Sequence, residues 1–296
     1  MTLKNFLTIA FVAAVLVACG DDSSSATDSD DSSSSKDVIL SGDSREESSE
    51  SKSSSSSVKS SSSSSVPEGY VDPSTVVKGT MTDERDGQTY KTVKIGTQTW
   101  MAENLNYAYT SVPYKYKESN DVYTSDSTSW CYNNDASNCA KYGRLYTWAA
   151  AMDSAGTWTT NGKGCGFRNE CSPTYPVRGV CPEGWHLPSE TEWDSLRTAV
   201  GGGAIAGKML KSTSGWDDFN GEHINCTDAY AFSVLPAGFR DYEGSFKDEG
   251  LHALFWSSTE YELERAYYTL WYSYLDKASL YNSYKYSGLS VRCVKD

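Results

Sequence analysis

Hydrophobic residues recur at helical spacing in the segment that follows Ser189. Trp193, Leu196 and Val200 are separated by three and four residues, which places them on one face of a short amphipathic helix. Ser189 and Glu192 have the S-x-x-E spacing of a capping box, in which each side chain binds a backbone N–H at the helix start. The sequence therefore predicts a helix that begins directly after Ser189.

Alternating apolar and polar residues predict strands on both sides of this helix. Residues 79–83 and 89–95 flank an Asp-Gly turn, which is typical of a hairpin, and residues 98–105 add a third strand. Later strands are predicted at 231–235, 238–241, 253–258, 266–275 and 289–294. Between the two groups we predict helices at 145–152 and 204–211, and polar loops or turns at 107–129, 130–139 and 157–176. Short helices followed by a late antiparallel sheet indicate an α+β domain.

The first residues have the pattern of an export signal. Lys4 precedes an apolar run at 6–17 that is too short to span a bilayer. The run ends in Leu-Val-Ala-Cys at 16–19, which resembles the lipobox of bacterial lipoproteins, where cleavage precedes the acylated cysteine. We therefore predict a signal peptide at 1–18 and lipidation of Cys19. The alternative is an ordinary secretion signal in which this cysteine is incidental.

Residues 20–66 form a low-complexity segment of mostly Ser, Asp, Glu and Lys. Such a segment buries too little apolar surface to offset the entropy of ordering it, so we predict a disordered tether. Its 47 residues would span roughly 40 Å as a flexible coil. A lead-in at 67–78 and one domain at 79–296 follow. Gly20 differs from the Asp that retains some lipoproteins at the inner membrane, which favours the outer membrane or cell surface.

Composition limits the classes of partner. The net charge is −13 and no basic patch occurs, which argues against nucleic acid because phosphate binding needs clustered Lys and Arg. Aromatic residues make up 13% of the chain, far more than a disordered protein carries, so a packed domain is expected after the tether. The partners predicted are the membrane, through the lipid, and a polysaccharide or surface protein.

Six ordered motifs resemble the Fibrobacter succinogenes major paralogous domain, over about 79–296. They are GTQTWMAENLN (96–106), YGRLYTW (142–148), CPEGWHLPSETEW (181–193), LPAGFR (235–240), FWSST (255–259) and VRCV (291–294). That family occurs on surface and secreted bacterial proteins. The third motif is called the signature turn below.

The signature turn and the last motif are also similar, more distantly, to the sulfatase-modifying-factor and C-type-lectin-like fold. This resemblance implies an α+β domain with irregular loops that carry function. The formylglycine-generating oxidases of that group need a late pair of reactive cysteines, and no cysteine lies between Cys226 and Cys293. Calcium-dependent lectins need Glu-Pro-Asn or Gln-Pro-Asp, whereas Pro236 lies between Leu235 and Ala237. Neither activity is carried over, and no catalytic residue is predicted.

The chain has eight cysteines, and seven remain if Cys19 is lipidated. Exported proteins usually pair them. Cys131 with Cys139 and Cys165 with Cys171 would close local loops, although spacing does not establish connectivity. The lectin-like resemblance suggests Cys181 with Cys293. Cys226 is left over and is predicted to be a buried structural thiol.

Metal sites have little support in the sequence. The three histidines lack zinc spacing, and His186, between Trp185 and Leu187, is predicted to be a hydrogen-bonded core residue. Two acidic segments offer oxygen ligands for calcium, but neither matches an EF-hand, and solvated loops are the preferred interpretation. Their members are Asp217, Asp218, Asn220 and Glu222, and Asn133, Asn134 and Asp135. We therefore predict no metal and no cofactor.

Aromatic rings are the remaining candidates for function, because sugars stack on Trp and Tyr. The candidates are Trp216, Tyr242, Trp256, Tyr261, Tyr267 and Trp271. Most large aromatic residues are buried, so only one or two of these are expected to face solvent. The leading hypothesis is a lipid-anchored, non-enzymatic surface module that binds polysaccharide or another extracellular ligand. The alternatives are an enzyme related to the formylglycine-generating oxidases and an envelope scaffold without a small ligand.

Overall fold

The computed structural model describes residues 67–110, 129–170, 172–221 and 226–296. The predicted signal peptide, Cys19, the tether and most of the predicted loop at 107–129 lie outside the described residues. Within the described part, no helix is long and apolar enough to cross a membrane.

The described chain combines helices and sheets, with most regular residues in strands. The first half contains β1 (Val77–Thr82), β2 (Thr89–Ile95), β3 (Gln98–Met101), β4 (Ser129–Trp130), α1 (Ala136–Tyr142), β5 (Leu145–Tyr146) and α2 (Trp148–Ala151). The second half contains β6 (Trp185–His186), α3 (Glu190–Ala199), α4 (Gly203–Leu210), β7 (Ala237–Arg240), β8 (Phe246–Glu249), β9 (His252–Glu260), β10 (Arg265–Tyr272), β11 (Ala278–Tyr284), β12 (Leu289–Ser290) and β13 (Val294–Lys295). Single 3-10 turns occur at Pro73–Thr75 and Tyr132–Asn134.

Two sheets organise these elements. The smaller has the order β1-β2-β3-β13-β6, so the late strand β13 lies between the early meander and the signature turn, with Val294 paired to both Trp100 and His186. The larger sheet contains the path β11-β10-β9-β12-β5-β4, and β7 pairs with β9 and with β8. The predicted meander is therefore confirmed, and the last segment of the chain ties it to the middle.

The β9–β10 ribbon separates two hydrophobic cores. Trp256 and Leu270 belong to the first core, and Phe255 and Trp271 belong to the second. Because side chains alternate across a strand, neighbouring residues of the same ribbon face opposite cores. Trp193 on α3 closes the second core, with its ring centroid 5.7 Å from that of Phe255 and 5.7 Å from that of Trp271.

Several predicted elements need correction. The predicted helix at 145–152 is instead β5 followed by α2, because Thr147 is an N-cap whose side chain accepts a hydrogen bond from the Ala150 N–H. The predicted strand at 231–235 is absent, since Ala231 and Ser233 have φ of 52° and 55°, which a strand excludes. The predicted turn at 130–139 contains the start of α1.

Other strand boundaries also differ from the prediction. The predicted strand at 289–294 is two short strands in different sheets, and the one at 266–275 ends at Tyr272. The edge strands β8 and β11 were not predicted. The predicted helices after Ser189 and at 204–211 are confirmed, with one-residue shifts at the ends of the second.

Candidate functional site

The signature turn is fixed by a disulfide, a helix cap and a histidine. Cys181 is bonded to Cys293, which lies 112 residues later, as the lectin-like resemblance suggested. The capping box is complete: the Ser189 hydroxyl accepts from the Glu192 N–H, and the Glu192 carboxylate accepts from the Ser189 N–H at 2.8 Å. Each of these contacts stabilises the local fold, so we assign the signature turn a structural role.

His186 is buried and uses both ring nitrogens. Nε2 lies 2.7 Å from Glu192 Oε1, and Nδ1 lies 2.6 Å from Asp296 Oδ1. Burial opposes protonation, but the hydrogen bonds to the two carboxylates raise the pKa of His186. Burial similarly opposes ionisation of Glu192, and the hydrogen bond from His186 lowers the pKa of that carboxyl. We call these three residues the histidine clamp; the prediction of a hydrogen-bonded core histidine is confirmed.

The other cysteines agree with the predicted pairs where the structure describes them. Cys131 is bonded to Cys139. Cys165 is buried and disulfide-bonded, and Cys171 lies outside the described residues, so that pairing stays a prediction. Cys226, which was predicted to be buried, is only half-buried; its thiol lies beside the Lys211 ammonium, and desolvation raises the pKa of that thiol.

The candidate calcium ligands have local structural roles. Asp135 caps α1, accepting from the Ser137 N–H at 2.8 Å, and Asn133 and Asn134 adopt positive φ in the preceding turn. The Asp217 N–H donates to the carbonyl of Gly250. Glu222 lies outside the described residues. Within the part of the chain that the structure describes, no group of three or more His, Cys, Asp or Glu residues is placed to hold a metal.

Three of the six aromatic candidates pack into the cores. Trp256 and Trp271 are fully buried, and Trp256 Nε1 donates to the Tyr146 carbonyl at 2.8 Å. Trp216 is half-buried; its Nε1 donates to the Ser212 hydroxyl, and the Lys211 ammonium lies 4.9 Å from its ring centroid. The two buried tryptophans cannot stack on a ligand in this fold, because each face of the central ribbon is covered by a core.

The other three candidates lie at the surface, and two of them sit at the end of the same ribbon. Tyr261, which is 48% exposed, follows β9 at the hairpin turn. Tyr267 on β10 is half-buried and meets Tyr261 edge to face, with ring centroids 5.2 Å apart. Tyr242, 45% exposed, lies in the turn between β7 and β8.

Two further tyrosines join these rings into one surface. Tyr284 and Tyr286 stack with centroids 5.2 Å apart and planes at 6°, and the Tyr242 ring lies 6.3 Å and 6.5 Å from them. Arg265 connects the two groups: its Nη2 donates to the Tyr284 hydroxyl at 3.1 Å, and its carbonyl accepts from the Tyr261 N–H at 3.0 Å. We call these five tyrosines and Arg265 the tyrosine patch.

A buried lysine holds the hairpin end under this surface. Lys285 Nζ donates to the carbonyls of Gly166 and Leu263 and to the Glu260 carboxylate. Its ammonium also lies 4.7 Å from the Trp148 ring centroid. Burial lowers the pKa of Lys285, which the Glu260 carboxylate partly offsets. The hairpin end is therefore held by several contacts, which help to fix the positions of its tyrosine rings.

The patch presents rings whose faces are apolar and whose hydroxyls are polar, beside one guanidinium. Such surfaces bind ligands that have both apolar faces and hydroxyl groups. The sequence predicted three of its members, Tyr242, Tyr261 and Tyr267, and missed Arg265, Tyr284 and Tyr286; it also missed the anchoring Lys285. The available signal was the Tyr-Lys-Tyr alternation at 284–286, which places two rings on one side of the chain and the lysine on the other.

Comparison with known proteins gives one match. No curated protein and no solved structure matches the chain significantly. The family model of the Fibrobacter succinogenes major domain matches residues 93–295, a stretch that includes the signature turn and the tyrosine patch. Because this match extends over well more than half of the sequence, the chain belongs to the Fibrobacter succinogenes major domain family.

Proposed function

We propose that this protein is a lipid-anchored bacterial surface module, without enzymatic activity, that binds polysaccharide through the tyrosine patch. The observation that carries the proposal is the continuous set of exposed and half-buried tyrosine rings around the β9–β10 hairpin. Isolated exposed rings are ordinary on protein surfaces, whereas a connected group is typical of a binding site.

The order of the patch supports binding. Because Lys285 and Arg265 already fix the hairpin end, a ligand would pay little additional ordering entropy when it binds there. Tyr side chains add large contact area with few rotatable bonds.

The anchoring part of the proposal rests on the sequence. Cys19 ends an apolar run with small residues, and residues 20–66 have the composition of a flexible spacer. Such a spacer would hold the domain away from the membrane. Labelling of the full chain with radioactive palmitate in a Gram-negative host tests this directly: Cys19→Ala should abolish labelling, and labelling that persists in the variant would contradict it.

We also propose a C-type-lectin-like architecture. The Cys181–Cys293 bridge, which ties the turn before α3 to the region of the last strand, and the irregular loops between short elements support this proposal. The alternative of an oxidase related to formylglycine-generating enzymes has less support, because Cys293 is bonded to Cys181 and is not a reactive thiol.

A pull-down on insoluble polysaccharides tests the binding. The full chain, purified in mild detergent, is incubated with cellulose, xylan, chitin, mannan and peptidoglycan. We expect retention on at least one polymer, and loss of retention for Tyr261→Ala and Tyr284→Ala. Tyr281→Ala is the matched control, because Tyr281 is 40% exposed on the same strand as Tyr284 but points to the opposite face. No retention on any polymer would contradict the proposal and favour an envelope scaffold.

A further inference from the structure

Three buried polar atoms near the β1–β2 hairpin have no hydrogen-bond partner among the described residues. They are Arg85 Nη1, Asn106 Oδ1 and Trp158 Nε1. Two are donors and one is an acceptor. Buried polar atoms in native proteins are nearly always paired, so such a group indicates a bound water, ion or ligand.

Arg85 and Trp158 carry the two donors. Arg85 Nε and Nη2 donate to the two oxygens of Asp83 at 2.8 Å and 2.7 Å, which leaves Nη1 directed away from that carboxylate. Its side chain is 8% exposed, and its Cζ lies 4.0 Å from the Tyr107 ring centroid and 5.2 Å from that of Trp158. The guanidinium and the indole are therefore neighbours, and each has one unused donor.

Asn106 supplies the acceptor beside them. Its Nδ2 donates to Gln88 Oε1 at 3.0 Å, and its backbone N–H donates to the Tyr90 hydroxyl at 3.0 Å. The amide orientation is thus determined by Gln88, and Oδ1 is the atom left over. Asn106 immediately precedes Tyr107, whose ring covers Arg85.

The charges around these atoms select a neutral ligand. The Asp83 carboxylate neutralises Arg85, and two more carboxylates lie close by: Asp86 accepts from the Gln88 side chain, and Asp153 accepts from the backbone N–H of Trp158 at 2.6 Å. A carboxylate or phosphate would meet net negative charge, and a cation would meet two unused donors. A hydroxyl group matches both kinds of atom, because it donates and accepts.

The rings add an apolar wall. Tyr107 and Trp158 meet edge to face, with centroids 5.7 Å apart, and both are only half-buried. Because the three atoms are buried, a ligand reaches them only when the half-buried ring of Tyr107 or Trp158 moves aside. We propose that Arg85, Asn106, Tyr107 and Trp158 form a second ligand site, which binds a neutral sugar unit of a polysaccharide. This site shares no residue with the tyrosine patch and does not depend on binding there.

The indole N–H of Trp158 reports on the site directly. The full chain, labelled with ¹⁵N-tryptophan and held in detergent, is titrated with soluble cello-, xylo- and manno-oligosaccharides, and Trp158→Phe identifies the resonance. We expect the Trp158 resonance to move in the parent chain and equally in the Tyr261→Ala variant. Trp271 Nε1, also buried without a partner among the described residues, is an internal control that should not move, because it lies in the second core.

Affinity gives the second readout. Trp158→Phe keeps a smaller aromatic ring and removes the indole donor, so the dissociation constant at this site should rise about threefold to tenfold. Arg85→Lys keeps a charge for Asp83 and removes Nη1, and should have a similar effect. A Trp158 resonance unmoved by every neutral oligosaccharide would overturn the proposal and leave water as the partner. If the negatively charged oligogalacturonate alone moved the Trp158 resonance, the proposal that the ligand is neutral would be overturned.

Discussion

The middle and the end of the β9–β10 ribbon carry the same kinds of residue and have opposite environments. In the middle, Trp256 and Trp271 are fully buried, each in a different core. At the end, Tyr261 is 48% exposed and Tyr267 is half-buried. The ribbon continues past the elements that cover it, and its last rings are left to solvent.

This difference shows that the elements packed over an aromatic residue, and not its residue type, decide whether it is buried or exposed. Both halves of the ribbon alternate aromatic residues across its two faces. In the middle, α3 packs against the ribbon through Trp193. At the end, the hairpin is held from below by Lys285, whose contacts leave Tyr261 and Tyr267 available.

The largest expected effect comes from the middle of the ribbon. Trp271→Ala should lower the free energy of unfolding by about 3–5 kcal/mol, because it leaves a cavity among Trp193 and Phe255. Urea unfolding followed by circular dichroism measures this loss. A loss below about 1 kcal/mol would mean that the ring is not part of the core.

The long disulfide should stabilise more than the short one. In the loop-entropy model, the bridge across the 112-residue separation contributes about 5 kcal/mol and the one across 8 residues about half of that. Unfolding of a Cys181→Ser/Cys293→Ser double variant, compared with Cys131→Ser/Cys139→Ser, tests the order. A larger loss of stability in Cys131→Ser/Cys139→Ser would mean that the more important disulfide lies outside the signature turn.

The histidine clamp predicts a pH dependence of stability. The pKa of His186 is raised, so its contribution to stability is complete below its ordinary value of 6.5 and is lost as pH rises through the raised value. The pKa of Glu192 is lowered, so its contribution is complete above 4.5 and is lost as pH falls through the lowered value. The clamp therefore contributes fully between these two ordinary values.

Unfolding in urea at pH 5.5, 7 and 8.5 measures this dependence. We expect the free energy of unfolding to decrease with rising pH in the parent chain and to decrease less in His186→Gln. An equal decrease in both chains would assign the dependence to other groups.

The smallest expected effect on stability comes from the ribbon end. Tyr261→Ala should change the free energy of unfolding by less than about 0.5 kcal/mol, because nearly half of its side chain is already in water. The same urea experiment measures it. A loss of 2 kcal/mol or more would make Tyr261 a structural residue and remove it from the patch.

The sequence predicted the parts of the fold that are encoded by nearby residues. The capping box of Ser189 and Glu192 and the Asp-Gly hairpin between β1 and β2 depend on contacts within a few residues, and both were predicted correctly. The Thr147 cap, which ends a strand pairing and starts a helix, was hidden within one continuous apolar pattern.

The candidate site was harder to predict because it depends on distant contacts. Tyr242 reaches Tyr284 only because a chain of strand pairings joins them: β7 pairs with β9, β9 pairs with β10, and β10 pairs with β11. No local pattern records such a path. Burial of Trp256 and Trp271 is equally non-local, since the cores that cover them combine residues from both halves of the chain.

Binding of polysaccharide by matched surface variants tests the central claim most directly. Tyr284→Ala and Tyr281→Ala each remove one tyrosine ring, and the two rings lie on opposite faces of β11. For each variant we would measure the affinity for the polymer that retains the parent chain, and the free energy of unfolding. We expect Tyr284→Ala to weaken binding at least about fivefold and Tyr281→Ala to bind like the parent chain, with both variants folded. Equal affinity of the two variants would contradict the assignment of binding to the tyrosine patch.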